Sequence, residues 1–274
     1  MSSTRVLLLG AAIVAASSLQ AGAADLYGGS IKDAPVYAPM APSPSIYFRV
    51  DGGYSSYDTP NITEDHVYDL YDNKIDSTWS VGGGVGTYFG RGFRGDITVD
   101  HRFDADTEGT LLDYKSDLRG TRKFGLKSTV ALANVYYDFD FGSRFTPYLG
   151  LGLGFSHNKT TAGVVLDDCG CTNGLIEGDS NTSVAGAAMA GFSVKLRGGQ
   201  TMTGGYSIKD APVAVDTGRG LYLDVGYRFL YLGDAQTGAV TAIDTAGDHV
   251  VSEDPTVDEI HAHEFRFGLR YDLR

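Results

Sequence analysis

The chain has 274 residues with 34 acidic against 22 basic side chains, a formal charge of −12, and no basic stripe along which nucleic acid could lie. Two cysteines exclude a disulfide-built scaffold, while 37 glycines, 17 tyrosines and 13 phenylalanines beside eight prolines and one tryptophan favour many short strands over helices. Apart from strands, nothing here could cross a bilayer, because no apolar run reaches the roughly 18 residues that a membrane helix needs.

Arg5 precedes the apolar stretch Val6–Ala16 and small residues ending Ala21-Gly22-Ala23, the charged, apolar, A-x-A order of a cleavable export signal. Residues 1–23 are assigned to that signal, so the mature chain starts at Ala24 and keeps about 250 residues, enough for one barrel or one large all-β domain. Residues 24–45, with Pro35, Pro39, Pro42 and Pro44, read as an extended periplasmic tether.

From Ile46 onward the sequence alternates. Strand side chains point to opposite faces with period two. In Ile46–Tyr57 the apolar Ile46, Phe48, Val50 and Tyr54 oppose Arg49 and Asp51. Thr78–Phe89 sets Trp79, Val81, Val85 and Phe89 against Gly82, Gly84 and Gly86, and the turn Gly90-Arg91-Gly92 follows. Phe93–Phe103 sets Phe93, Ile97, Val99 and Phe103 against Arg94, Asp96, Thr98, Asp100 and Arg102.

Leu126–Phe139 alternates Ala131, Val135, Tyr137 and Phe139 with Asn134, Tyr136 and Asp138. Thr146–Ser156 opposes Leu149, Leu151, Leu153 and Phe155 to Tyr148 and three glycines; Ser183–Leu196 opposes Val184, Ala188, Ala190, Phe192 and Val194 to Ser183, Met189, Ser193 and Lys195. Gly220–Leu232 carries Leu221, Leu223, Val225, Tyr227, Phe229 and Tyr231 against Asp224, Gly226 and Arg228. The last strand, Ile260–Arg274, sorts Phe265, Phe267, Leu269, Tyr271 and Leu273 from Glu264, Arg266, Arg270 and Asp272.

Eight strands of this length, joined alternately by short turns and by connections of about 20 residues, predict an all-β fold: an eight-stranded antiparallel transmembrane β-barrel over residues 46–274 with long extracellular loops. The connection 197–219 departs from that rhythm by being long on the turn side. A lipocalin-like barrel would turn the same faces the other way, apolar inside. Aromatics at strand ends, charges of both signs on one face, and an apolar face free of charge except for Lys127 favour lipid outside. The lumen then holds a network of Arg49, Asp51, Arg94, Asp96, Asp100, Arg102, Asp224, Arg228, Glu264, Arg266 and Arg270.

The segments Ala133–Phe139, Thr146–Gly154, Gly226–Phe229 with Leu232-Gly233-Asp234, and Gly268–Leu273 resemble the small immunogenic outer-membrane β-barrels of alphaproteobacteria, within the OmpA-like and opacity-protein-like superfamily. That resemblance implies an integral outer-membrane location with both termini periplasmic. It implies partners in outer-membrane lipids, lipopolysaccharide and the barrel assembly machinery, which reads a terminal aromatic residue; here the chain ends Leu273-Arg274, leaving Tyr271 for that role. The same resemblance makes Ala24, followed by Asp25, the candidate amine for attachment to peptidoglycan.

The four long connections, 58–77, 104–125, 157–181 and 234–258, carry formal charges of −5, −1, −3 and −6, so the acidity is concentrated outside the wall. They read as solvated loops, with divalent-cation contact to lipopolysaccharide as the alternative. His261 and His263 share one strand face and are either interfacial or ligands for a metal or haem iron. Asp167, Cys169 and Cys171 are either a soft-metal site or a loop with a disulfide or two thiols. The heptapeptide Ser30–Val36 recurs as Ser207–Val213, as paired periplasmic contacts or as duplicated linker.

No Ser–His or Asp–His grouping on one face is visible, so neither a catalytic group, a cofactor nor a resident metal is expected. The leading expectation is a structural surface protein supporting the envelope. A narrow porin-like channel and a surface binder of haem or host molecules are the alternatives.

Overall fold

A computed structural model describes residues 46–63, 69–113, 118–197, 200–203, 213–216, 220–243, 249–252 and 256–273. The assigned signal, the tether with Ala24 and Asp25, and the first heptapeptide copy lie outside the described residues, as does all of the second copy except Val213.

Eight long strands make the wall: β1 Ile46–Tyr57, β2 Thr78–Gly90, β3 Phe93–Asp113, β4 Leu118–Asp138, β5 Phe145–Thr160, β6 Ser180–Arg197, β7 Leu221–Tyr231 and β8 His261–Asp272. Each pairs antiparallel with its sequence neighbours, and β1 closes on β8 from Tyr47↔Asp272 to Tyr57↔Ala262. Closure leaves the wall without an open edge, which a sheet in hydrocarbon requires. The β2–β3 turn is tight because Gly90, Arg91 and Gly92 all take positive φ, 82°, 54° and 84°.

The apolar parity faces out. Leu153 is 73% exposed and Phe265 70%, and Leu149, Leu151, Phe155, Phe267 and Leu269 are exposed with them. Aromatic pairs lie toward both ends of this band, Tyr54 on Trp79 at 5.2 Å and Phe93 on Tyr137 at 4.9 Å. Inward glycines make room for large inward neighbours: a side chain at Gly86 would collide with Tyr47, and one at Gly150 with Tyr136.

The long connections are not plain solvated loops, and this corrects the sequence reading. Beyond a bulge between Arg102 and Ala105, β3 and β4 continue as one hairpin past the band. Short strands then extend the wall upward. Asp69–Ile75 pairs with β3, Gly163–Asp167 pairs with β4 and with Thr172–Gly178, and Ala235–Ala242 bridges Thr172–Gly178 to Thr256–Asp258, which reaches Asn61–Thr63. The connection between β6 and β7 also folds, as a small hairpin of Gln200–Thr203 with Val213–Asp216.

This crown has an apolar core. Phe124, Leu126, Val130, Leu132, Val165, Ile176, Leu230, Leu232, Val240, Val257 and Ile260 are buried in one cluster. Inward Val130 and Leu132 of β4 and Leu230 of β7 belong to it, so the inside of the barrel changes from ionic to apolar toward the crown.

Candidate functional site

The ionic part of the lumen fills the middle of the barrel in three linked groups. Nearest the crown, Glu264 of β8 accepts from Arg102 Nε at 2.7 Å, Arg228 Nε at 2.5 Å and Ser55 Oγ at 2.7 Å. Arg228 of β7 also donates to Asp100 at 2.8 Å, and Arg266 grips both oxygens of Asp100 at 2.8 and 3.1 Å. Arg102, Arg228 and Glu264 are each at most 1% exposed.

In the middle group, Arg49 holds Asp51 through two bonds of 2.6 and 2.8 Å and reaches Asp96 at 3.0 Å and the Tyr136 hydroxyl at 2.9 Å. Asp96 further accepts from Tyr47 at 3.0 Å and Asn134 at 2.7 Å. Toward the termini, Arg270 contacts Asp224 at 3.3 Å, Ser193 at 3.1 Å and the Tyr88 hydroxyl at 2.8 Å. Arg94 binds Asp138 at 3.0 Å and lies 4.0 Å over the Tyr136 ring and 5.0 Å from that of Tyr148.

The charged members come from β1, β3, β4, β7 and β8, so they act as cross-braces between strands that are not all neighbours in the wall. Buried ions persist only when paired and hydrogen-bonded. Tyr47, Ser55, Tyr88, Asn134, Tyr136, Asp138, Ser193 and Asp272 supply part of that satisfaction and were not named for the network from sequence. Parity puts them on the inner face, which is the signal that could have found them.

Little open space is left between the groups. A void of about 10 Å³ lies among Arg49, Asp51, Tyr136, Arg228 and Arg266, room for about one water. At the terminal end an open vestibule of about 520 Å³ is lined by Tyr88, Asp138, Asp140, Lys195, Arg270 and Asp272. At the opposite end, Asn158 donates to the carbonyls of Leu232 at 3.0 Å and Asp234 at 2.9 Å, drawing the chain that leaves β7 against β5 beneath the apolar core. Among the described residues, the middle of the barrel is packed with paired side chains, and the vestibule opens at its terminal end.

The remaining candidates lie outside the lumen. His261 and His263 face outward in an aromatic group with Phe229, Tyr227 and Tyr231. His263 bridges Tyr227, at 2.5 Å from Nδ1, and Asp58, at 3.1 Å from Nε2. This Asp–His grouping was not visible in sequence, since its members are 205 positions apart and meet only because β1 closes on β8. Cys169 and Cys171 are joined in a disulfide at a hairpin tip.

The family model for the outer membrane protein beta-barrel domain matches residues 7–229. Uncharacterized proteins of Brucella abortus (strain 2308) and Brucella melitensis biotype 1 are each 28% identical over 293 residues, covering 93% of this chain and 93% of theirs. Among solved structures, Neisserial surface protein A is similar over 83% of this chain and 97% of its own at 16% identity and a TM-score of 0.41. The outer membrane protein OprG from Pseudomonas aeruginosa is similar over 83% and 96% at 11% identity and a TM-score of 0.45.

Proposed function

The chain belongs to the outer-membrane β-barrel family, and from that premise we propose that it is a structural, surface-exposed envelope protein rather than a conduit for solutes. One observation carries this reading: among the described residues, the arginine–carboxylate network is buried and roofed by the apolar crown core, and the void among Arg49, Asp51, Tyr136, Arg228 and Arg266 measures about 10 Å³. An eight-stranded barrel is only wide enough for its own side chains, and here they are braced across it.

In this reading both termini and the vestibule face the periplasm, and the acidic crown faces outward, where divalent cations bridge it to lipopolysaccharide. Ala24 is the amine joined to peptidoglycan, with residues 24–45 as spacer, after the assembly machinery has inserted the barrel. Planar-bilayer recording of the purified protein tests the central claim. Silence is expected; reproducible, solute-permeant steps from wild-type protein would overturn it and favour the channel. Lysozyme-released muropeptides carrying the Ala24 peptide are expected if the tether exists, and their absence from intact envelopes removes that part alone.

A further inference from the structure

The disulfide between Cys169 and Cys171 closes over a single residue, Gly170, at the exposed tip of the hairpin formed by Gly163–Asp167 and Thr172–Gly178. The turn is held without it. The Asp167 amide donates to the Cys171 carbonyl at 3.0 Å and the Gly170 amide to the Asp167 carbonyl at 2.9 Å. The Asp167 carboxylate accepts the amides of Cys169 at 3.0 Å and Cys171 at 2.9 Å, and Gly170 supplies the positive φ of 75° that the tip needs.

A cross-link over so short a ring also removes little freedom from the unfolded chain, because the closure term grows with loop length. The bond therefore adds little to the fold. What remains is its chemistry, and exposed disulfides are the labile kind.

We propose that the Cys169–Cys171 disulfide is a thiol–disulfide exchange site whose partner is a cationic or neutral thiol. A partner thiolate attacks one sulfur, a new S–S bond forms, and the other sulfur leaves as a thiolate that takes a proton from water. A second partner thiolate attacks the partner's sulfur in that mixed disulfide. The second cysteine is released and protonated in turn, so two partner thiols become one disulfide as the tip gains two electrons. The choice of partner follows from charge: the Asp167 carboxylate lies within 4.8 Å of both sulfurs and Asp168 is next in the chain, in a connection of net charge −3. This field repels anionic thiolates and opposes the thiolate that leaves.

The test uses the folded full-length chain in detergent and does not depend on which way the barrel faces or whether its lumen conducts. The protein is mixed with cysteamine or glutathione at equal concentration, at low and high salt, then acid-quenched, alkylated and read by mass spectrometry of the tip peptide. Cysteamine is expected to form the mixed disulfide several-fold faster at low salt, with the gap narrowing as salt screens charges beyond about 10 Å at 0.1 M. Asp167→Asn, which keeps the acceptor oxygen and removes the charge, is expected to speed the reaction with glutathione by roughly threefold and that with cysteamine less, so that the gap narrows. Heat-modifiable gel mobility stays unchanged after reduction. A disulfide that remains closed in folded protein but opens once the chain is unfolded overturns the proposal. Equal rates with both thiols overturn the choice of partner, and loss of heat-modifiable mobility on reduction makes the bond structural.

Discussion

Glu264→Gln removes one charge at the point where the barrel is braced most closely, while keeping nearly the same shape. Glu264 accepts from Arg102, Arg228 and Ser55, and no member of the Arg102–Glu264–Arg228 triad is more than 1% exposed. Arg228 keeps Asp100 at 2.8 Å, but no other carboxylate bonds Arg102 among the described residues, so its guanidinium is left buried and unneutralised. Breaking a buried pair costs about 3–5 kcal/mol, and because Gln retains an acceptor we expect the lower end, about 3 kcal/mol. With a urea slope of roughly 1–3 kcal/mol per molar, the unfolding midpoint in lipid vesicles falls by about 1–3 M.

Heat-modifiable mobility and the fluorescence of the single tryptophan, Trp79, exposed on the apolar face, both report the transition. Adding Arg102→Leu to Glu264→Gln is expected to recover part of the loss, since the stranded cation is then gone. A midpoint unchanged from wild type in the single variant would refute the reasoning. It would mean that water reaches Arg102 and takes over the carboxylate's work, which is the lumen of a channel.

The other predictions probe the remaining layers. Leu151→Arg, on the lipid face near mid-wall, should cost about 2–4 kcal/mol and lower the yield of heat-modifiable barrel in vesicles. Leu232→Ala, in the crown core, should cost about 2–5 kcal/mol, read as faster amide exchange and protease cutting in the crown while the β1–β8 seam stays protected. Replacing Arg102, Arg228 and Glu264 together by Leu, Met and Leu leaves Asp100 its bonds to Arg266. Equilibrium stability should then stay within about 1 kcal/mol of wild type or rise, but the fraction of chains that reach the folded barrel on dilution into vesicles should fall.

The wall was legible because a strand crossing a bilayer must keep strict parity over its full length, and Phe93–Phe103 or Thr146–Ser156 obey it without interruption. Above the band that constraint lapses. At the bulge between Arg102 and Ala105 the inward parity passes from even to odd positions, so Ala105 and Thr107 face in where continued alternation would have put Asp104 and Asp106. The crown strands are three to eight residues long and their partners are far away, as with Thr256–Asp258 against Asn61–Thr63, so their apolar core gave no periodic signal. Parity likewise says which side a residue takes but not whom it meets. Arg102 finds Glu264, and His263 finds Asp58, only through the register that closes the barrel.

An ionic lumen carries a cost that an apolar one would avoid, and its value lies in specifying which face meets lipid. If both faces of the strands were apolar, a slip of one residue in register would exchange them at little penalty. With Arg94, Asp96, Asp100 and Arg102 on one face of β3 alone, the everted strand would place four charges in hydrocarbon, at about 2–4 kcal/mol for each arginine near the midplane and less for each aspartate. That sum is comparable with the whole stability of a domain. The network therefore excludes the wrong arrangement more strongly than it stabilises the right one, and the triple substitution separates the two effects, because it takes charge off the inner face without stranding a buried ion.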